Sequence, residues 1–230
     1  MTSASDPPDD PSTASEAERP SVPLLKDLAA RRAPRQARAQ QTVWRILQAA
    51  GKEIEEGGLD RLTTNRIAAA AGLSVGTVYG YFQNKESIVN ALLGLWLEEI
   101  YEAVDGAHPR HGTGRDVLSY IRETVERCAL LYERQPGLGA LFAMVPAVPS
   151  LAEATRKHDA AIFQTHVTAL QFYAPNAPQI DIESLSRCIP LMAHDILTVA
   201  IVQRQGNRQR LMAYLYVALM AMASSLLLAP

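Results

Sequence analysis

Cysteine is scarce in this chain of 230 residues, and the patterns that would give it a covalent or metal-held framework are missing. Only Cys128 and Cys188 are present, with no CxxC pair, which disfavours both a disulfide framework and a cysteine-bound zinc site. We expect both thiols to be buried packing residues in a reducing, cytoplasmic compartment. The first residues contain neither a basic segment nor an apolar core, so we expect no secretion signal peptide.

Sustained period-two alternation is also missing, and this disfavours β-strands. Apolar residues recur instead with helical spacing over most of the chain, so the sequence predicts an all-α protein of about nine helices. Residues 1–30 are rich in Pro, Ser and acidic side chains and predict a disordered tail. We expect a helix-turn-helix domain of three helices over 31–87 and a larger helical ligand-binding and dimerisation bundle over 88–230.

Signatures of enzymes are weak. Gly112-Thr113-Gly114 and Gly137-Leu138-Gly139 are not nucleotide-binding loops, because no predicted strand precedes either and no third glycine follows. The sequence also has no paired-carboxylate motif. We therefore predict that the protein is not an enzyme and uses no cofactor.

The stretch 63–82 has the pattern of two short capped helices joined by a tight turn. Thr63 and Ser74 can each accept hydrogen bonds from the unpaired amides at a helix start. Gly72 suits the left-handed residue that ends the first helix. Two helices connected in this way form a helix-turn-helix, whose second helix enters the major groove of DNA. The sequence therefore predicts a DNA-binding protein.

Over residues 35–93 the chain resembles the tetracycline-repressor (TetR) family. The resemblance is carried by Leu62-Thr63-Thr64, Ile67-Ala68, Ala71-Gly72-Leu73-Ser74, Thr77-Val78-Tyr79, Tyr81-Phe82 and Asn84-Lys85-Glu86. It implies a transcriptional regulator that dimerises through its last two helices and holds a small effector among its fourth to eighth helices.

The distribution of charge agrees with a DNA-binding domain near the N-terminus. The whole chain has a net charge of −2. Residues 1–30 contain two basic and six acidic side chains, a balance of −4, whereas 31–87 contain nine basic and five acidic, a balance of +4. The basic stretch that leads into the first helix (Arg31, Arg32, Arg35 and Arg38) is either a solvated helix start or a contact with phosphate or the minor groove.

The second helix of the motif presents glycine where a reading side chain is expected. Gly76 and Gly80 would let the helix backbone approach base edges closely, or they are surface glycines without a function. We expect Thr77 and Asn65 to meet base edges, and the hydroxyls and Lys85 to meet phosphates. The predicted DNA-binding residues are Thr64, Asn65, Ser74, Val75, Gly76, Thr77, Tyr79, Gly80, Tyr81 and Lys85.

The last two predicted helices, 181–203 and 207–228, are apolar on two faces. The final helix is long enough to cross a bilayer, but Ala, Met and Tyr dominate it and nothing polar follows it, so we predict no membrane segment. Two doubly apolar helices instead predict a four-helix dimer interface. We expect a homodimer on near-palindromic double-stranded DNA, and Pro190 should bend the first of these helices.

The resemblance implies an effector pocket in the bundle, and the sequence supplies candidates for its walls. The candidates are Trp96, Thr124, Cys128, Phe142, Phe163, His166, Leu170 and Met192. They favour a small, hydrophobic, uncharged effector that the polar members orient. The alternatives are a plain core and an architectural DNA-binding dimer without effector.

Histidine spacing raises the further alternative of a metal site. His108 and His111 lie three apart in a loop, and His158 and His166 lie two turns apart on one helix. No cysteine or carboxylate pattern completes a ligand set, so we predict no metal site.

Overall fold

The computed structural model describes residues 37–112, 116–135, 141 and 149–227. In these ranges the chain forms α-helices and no β-strand, which confirms the all-α prediction. The eight described helices are α1 Ala37–Arg61, α2 Thr64–Ala71, α3 Val75–Tyr81, α4 Lys85–Gly106, α5 Val117–Arg134, α6 Pro149–Tyr173, α7 Gln179–Leu197 and α8 Arg208–Leu227. The predicted tail, Arg31, Arg32, Arg35 and a short ninth helix between α5 and α6 lie outside the described residues.

The two short helices begin and end at the residues that the sequence indicates. The Thr63 side chain accepts a hydrogen bond from the Arg66 amide, and Ser74 accepts one from the Thr77 amide. Gly72 ends α2 with φ 62°, in the left-handed region, and its amide donates to the carbonyls of Ala68 and Ala69. The tight turn between α2 and α3 therefore follows from local backbone chemistry.

Helix α1 extends past Gly57 and Gly58, although glycine is unfavourable inside a helix. Gly58 has φ 71° and ψ 175°, so it interrupts the helix, but helical backbone resumes and continues to Arg61. The inner face of α1 is buried against α2 and α4, with Val43, Ile46 and Ala50 at its centre. The first helix thus supports the helix-turn-helix from behind, as its apolar stripe predicts.

Helix α4 joins the helix-turn-helix to the bundle without a break. Asn84 and Ser87 form a capping box: the Asn84 Oδ1 accepts from the Ser87 amide at 2.8 Å, and the Ser87 hydroxyl accepts from the Asn84 amide at 3.2 Å. The helix has 22 residues, a length of roughly 33 Å at 1.5 Å per residue. Its buried face packs on α1 at one end and on α5 and α6 at the other.

Helix α7 ends in a wider turn that the sequence did not indicate. Over Thr198–Val202 the backbone is π-helical, and the Gln203 amide donates to the Thr198 carbonyl at 2.9 Å. Pro190 lies inside α7, and the bend expected there stays a prediction. Turns of this kind inside helices are frequent at functional sites.

Two described segments, Gln179–Val202 and Arg208–Leu227, are long and apolar enough to span a membrane by length and composition. Core and interface helices of other proteins meet the same criterion. Several large apolar side chains of α7 and α8 are exposed on the single chain, including Leu191, Tyr214 and Val217.

The C-terminus of α2 is held by a side chain from α1. The Arg45 Nη2 donates to the Ala71 carbonyl at 2.6 Å and to the Gly72 carbonyl at 3.3 Å. Carbonyls at a helix end have no partner within the helix, and the partial negative charge there favours a cation. Arg45 therefore fixes the angle between α1 and the helix-turn-helix.

We predict that Arg45→Met weakens this support while keeping the apolar stem of the side chain. The free energy of unfolding should fall by on the order of 1 kcal/mol, because a charge-assisted hydrogen bond is lost. Urea denaturation followed by circular dichroism measures the change. Lys52→Met is the matched control, since Lys52 is exposed on the same helix and its Nζ lies 3.9 Å from the Glu56 Oε1. Equal stabilities of the two variants would contradict the role of Arg45.

Candidate DNA-binding surface and effector cavity

Helix α3 turns its apolar side inward and its predicted reading side outward. Val78 and Phe82 are fully buried, while Gly76 and Gly80 are exposed. Asn65, Ser74 and Tyr79 are also exposed, and Thr64, Thr77 and Lys85 are half-buried. Val75 and Tyr81 pack partly against the core, so less of each is available to a partner. All ten predicted DNA-binding residues are thus at least partly exposed, on α2, on α3 with its cap and at the start of α4.

Two hydroxyl pairs fix the geometry of this surface. The Tyr79 hydroxyl lies 3.1 Å from the Thr64 Oγ1 and joins α3 to α2. The Thr77 Oγ1 lies 2.8 Å from the Ser74 Oγ, so a base that bonds to Thr77 shares its hydroxyl with the helix cap. These contacts hold the hydroxyls of Thr64, Ser74, Thr77 and Tyr79 in place within the chain.

Neither glycine of α3 is required by the fold itself. A Cβ built at Gly80 meets no atom within 4 Å, and one built at Gly76 meets only the Ser74 Oγ, at 3.8 Å. Neither residue has a positive φ. Each glycine costs the helix roughly 1 kcal/mol relative to alanine, so the fold itself gives no reason for the pair.

The described part of the domain is only slightly basic. Residues 37–87 contain six basic and five acidic side chains, a balance of +1. Most of the net positive charge of 31–87 therefore comes from Arg31, Arg32 and Arg35. Arg45 is engaged at the end of α2, and the Arg66 Nε lies 2.6 Å from the Glu53 Oε2. Lys85 begins α4, where unpaired amides add to its positive charge.

Gly72 to Gly76 has the Gly-x-Ser-x-Gly spacing of a hydrolase nucleophile elbow. An elbow requires a strand before the serine. Here the preceding element is the helix α2, and Ser74 caps α3. The spacing therefore reflects helix capping.

A cavity of about 370 Å³ lies among α4, α5, α6 and α7. Its volume falls in the range of small-molecule sites, ~300–1,000 Å³. Five predicted effector residues line it: Trp96, Thr124, Cys128, Phe163 and His166. Leu170 and Met192 do not line it: Leu170 is buried in the core and Met192 packs against that core. Phe142 lies outside the described residues.

Several residues that the sequence did not indicate as effector-binding also line the cavity. Tyr132, Thr155, His158, Arg187 and His194 all contribute to its wall. Helical spacing was the signal that could have identified Tyr132, because Thr124, Cys128 and Tyr132 follow one another at intervals of four. The residues from α7 could not be found in this way, since both faces of that helix are apolar.

Two tyrosine–histidine pairs connect the helices that form the cavity. The Tyr120 hydroxyl lies 2.7 Å from the His166 Nδ1, and the Tyr132 hydroxyl lies 2.6 Å from the His194 Nδ1. Burial lowers the pKa of His166 to about 3 and also lowers the pKa of His194. Both rings are therefore neutral at physiological pH. Tyr132 also packs edge-on against Trp96, with ring centroids 5.3 Å apart.

Charged residues lie at the more exposed part of the cavity. The Arg187 guanidinium stacks over the Phe163 ring, 4.3 Å from its centroid. Burial raises the pKa of Asp159 and lowers that of His158 to about 4. Asp159 and Arg187 are the only lining residues with a formal charge at neutral pH among those described.

The described residues hold no group of three or more His, Cys, Asp or Glu side chains able to bind a metal ion. The His108 Nε2 lies 2.9 Å from the Thr168 Oγ1, and its Nδ1 accepts from the Arg110 amide. The His111 Nε2 lies 2.9 Å from the Asp105 Oδ2. His108 and His111 thus take part in separate contacts.

Known sequences resemble the helix-turn-helix region. Residues 46–92 match the family described as bacterial regulatory proteins, tetR family. The HTH-type transcriptional regulator BetI of Stenotrophomonas maltophilia is 36% identical over 81 residues, which cover 35% of this chain and 40% of that protein. The match thus spans less than half the length of that relative.

Solved structures share the fold over a much longer stretch. A putative TetR-family regulator from Syntrophomonas wolfei has a TM-score of 0.65 at 14% identity, covering 80% of this chain and 96% of that one. A TetR-family regulator from Streptomyces coelicolor gives 0.63 at 22%, covering 81% and 83%. The fatty acid degradation regulator FadR of Bacillus halodurans gives 0.61 at 19%, covering 80% and 94%.

The sequence match covers the helix-turn-helix, and the shared fold extends through the bundle that contains the cavity. Together with the capped α2–α3 pair they confirm the family that the sequence indicated. Residues 46–92 thus match the TetR family of bacterial regulatory proteins, and the chain has the fold of solved TetR-family regulators.

Proposed function

We propose that this protein is a homodimeric, cytoplasmic transcriptional repressor that a small hydrophobic effector releases from a near-palindromic operator. The observation that carries the proposal is the continuity of α4. This helix begins beside the recognition helix α3 at the Asn84 cap, and three turns later it places Trp96 in the cavity wall. An occupant of the cavity therefore touches the same rigid element that supports the DNA-binding surface.

Exposed apolar side chains on the last two helices support the dimer. Leu191 on α7 is 65% exposed, and Tyr214 and Val217 on α8 are 66% and 67% exposed. Tyr214 and Val217 lie three apart, so they share one face of α8. A contiguous apolar face of this kind is normally covered by a partner, and a two-fold axis would pair it with itself. The two subunits would then present two α3 helices to one duplex.

The cavity supports an effector instead of a purely architectural role. Its walls combine large apolar side chains with a few polar groups, as small-molecule sites do. An effector can release the operator only if it prefers one conformation of the dimer. In that conformation the spacing of the two recognition helices must not fit DNA, and the effector must bind it more tightly than the conformation that does fit. A change from mostly bound to mostly free requires several kcal/mol of such differential affinity.

The DNA-binding surface is tested by two substitutions with different expected signatures. Lys85→Ala should weaken binding to operator and random duplex alike and reduce the salt slope by about one, because a phosphate contact is lost. Thr77→Val should cost ~1–3 kcal/mol on the operator and little on random duplex, because a base contact is lost. Fluorescence anisotropy over a range of salt concentrations measures both effects.

Lys157→Ala is the matched control for Lys85, since Lys157 is exposed on α6 in the bundle. It should leave both affinities unchanged. If Lys85→Ala and Thr77→Val both bind the operator as tightly as the wild type does, the recognition surface lies elsewhere.

The glycines of α3 generate a second prediction, which uses side-chain size. Gly80→Ala and Gly80→Leu should both stabilise the isolated fold slightly, because nothing in the chain opposes a side chain there. If the backbone of α3 approaches the bases, Gly80→Leu should weaken operator binding by roughly tenfold or more, equivalent to one lost contact of about 1–3 kcal/mol. Gly80→Ala should have the smaller effect. Unchanged operator affinity in Gly80→Leu, with normal thermal stability, rules out close approach.

A further inference from the structure

Two buried polar side chains, Thr124 and His166, line the cavity. Thr124 on α5 is 3% exposed; its hydroxyl makes no hydrogen bond of regular geometry with any described residue, and it lies near enough to the Tyr120 hydroxyl to act on the pKa of that group. His166 on α6 is 1% exposed and lines the cavity, and its Nδ1 lies 2.7 Å from the Tyr120 hydroxyl. Buried polar groups are normally satisfied by protein, water or ligand. These two groups therefore indicate where a ligand places its polar atom.

The contact with Tyr120 determines what His166 offers to that ligand. Burial holds the pKa of the Tyr120 hydroxyl well above its ordinary value, so the group keeps its proton and can donate it to Nδ1. A neutral imidazole has one N–H, and the partner at one nitrogen decides where the proton resides. When Tyr120 donates to Nδ1, the Nε2 of His166 bears the proton and is a donor. The Thr124 hydroxyl, one turn after Tyr120, is a second donor.

The surroundings of these donors disfavour a charged partner. The charged lining residues, Asp159 and Arg187, are both exposed, and Arg187 already stacks on Phe163. The remaining wall near α4 is apolar, with Trp96 and Ile100. A carboxylate or ammonium group placed beside Thr124 would be buried without a counter-ion, which is strongly unfavourable.

We propose that Thr124 and His166 select an uncharged, largely apolar effector with a single hydrogen-bond acceptor, such as a ketone, ester or ether oxygen. The acceptor receives hydrogen bonds from the Thr124 hydroxyl and the His166 Nε2, while the apolar body lies against Trp96 and Ile100. Tyr120 is a positioning residue, because it fixes the tautomer of His166 without touching the ligand. The inference rests on the proposed function, since it names the effector class of the same cavity.

The test compares four probes that share a cyclohexyl ring and differ in their polar group. The probes are cyclohexyl methyl ketone, ethylcyclohexane, cyclohexanecarboxylate and cyclohexylmethylammonium. Binding is followed by Trp96 fluorescence in a Trp44→Phe background, because Trp96 lines the cavity, with excitation at 295 nm and a free-tryptophan control to correct for direct quenching by the ketone. The ketone should bind roughly tenfold more tightly than ethylcyclohexane, as expected for the gain of hydrogen bonds to buried donors, and more tightly than either ion.

Variants of the two donors show whether they cause that preference. Thr124→Val preserves the shape of the side chain and removes its hydroxyl, and His166→Leu removes the second donor. Either change should reduce the advantage of the ketone over ethylcyclohexane severalfold while binding of ethylcyclohexane itself is retained. Thr165→Val is the matched control, because the buried Thr165 hydroxyl bonds to the Ala161 carbonyl at 3.0 Å and does not line the cavity.

The outcomes separate this inference from the proposed function. The inference is overturned if the carboxylate or the ammonium probe binds more tightly than the ketone. It is also overturned if both Thr124→Val and His166→Leu keep the ketone preference of the wild type. Neither result affects the proposal that the protein is a DNA-binding repressor. A protein that shows the ketone preference but binds no duplex DNA overturns the proposed function alone. Binding of none of the four probes overturns the inference and the effector role together.

Discussion

The rigidity of α4 is the constraint on which the rest of the structure depends. Its capping box at Asn84 and Ser87 fixes the start of the helix directly after the recognition helix. Its buried face then supplies Trp96 to the cavity and packs on α1 behind the helix-turn-helix. A packed helix transmits displacement instead of absorbing it, because close-packed interiors have discrete arrangements. The DNA-binding surface and the cavity therefore share one mechanical element.

The cavity walls are joined by neutral hydrogen bonds in place of ion pairs. The hydrogen bond between Tyr120 and His166 connects α5 to α6, and the one between Tyr132 and His194 connects α5 to α7. Such buried networks specify one arrangement of helices without burying net charge. Because Tyr132 also contacts Trp96, the second pair connects α4 to a helix of the proposed dimer interface. An occupant of the cavity would meet α4, α5 and α7 at this point.

The fold was predictable where local chemistry determines it. Caps such as Thr63, Ser74 and Asn84 and the left-handed Gly72 act within a few residues, so the sequence indicates α2, α3 and the start of α4. Contacts between distant helices were not predictable: Arg45 at the end of α2 depends on how α1 packs. The same holds for the cavity, where single-helix spacing finds Thr124 and Cys128 but places Leu170 wrongly, because burial in a core and exposure to a cavity look alike in sequence.

The central claim is that occupancy of the cavity and release of DNA are one event transmitted by α4. It is tested most directly by titrating an operator-bound, Trp44→Phe protein with a cavity ligand while Trp96 emission and operator occupancy are recorded together. The account predicts that both signals change over the same range of ligand concentration. It also predicts that a cross-link between the α4 helices of the two subunits preserves operator binding while the Trp96 signal still responds. Two results would contradict this claim. One is release of the operator from the cross-linked protein; the other is a Trp96 signal that saturates while the operator is still fully bound to the protein without the cross-link.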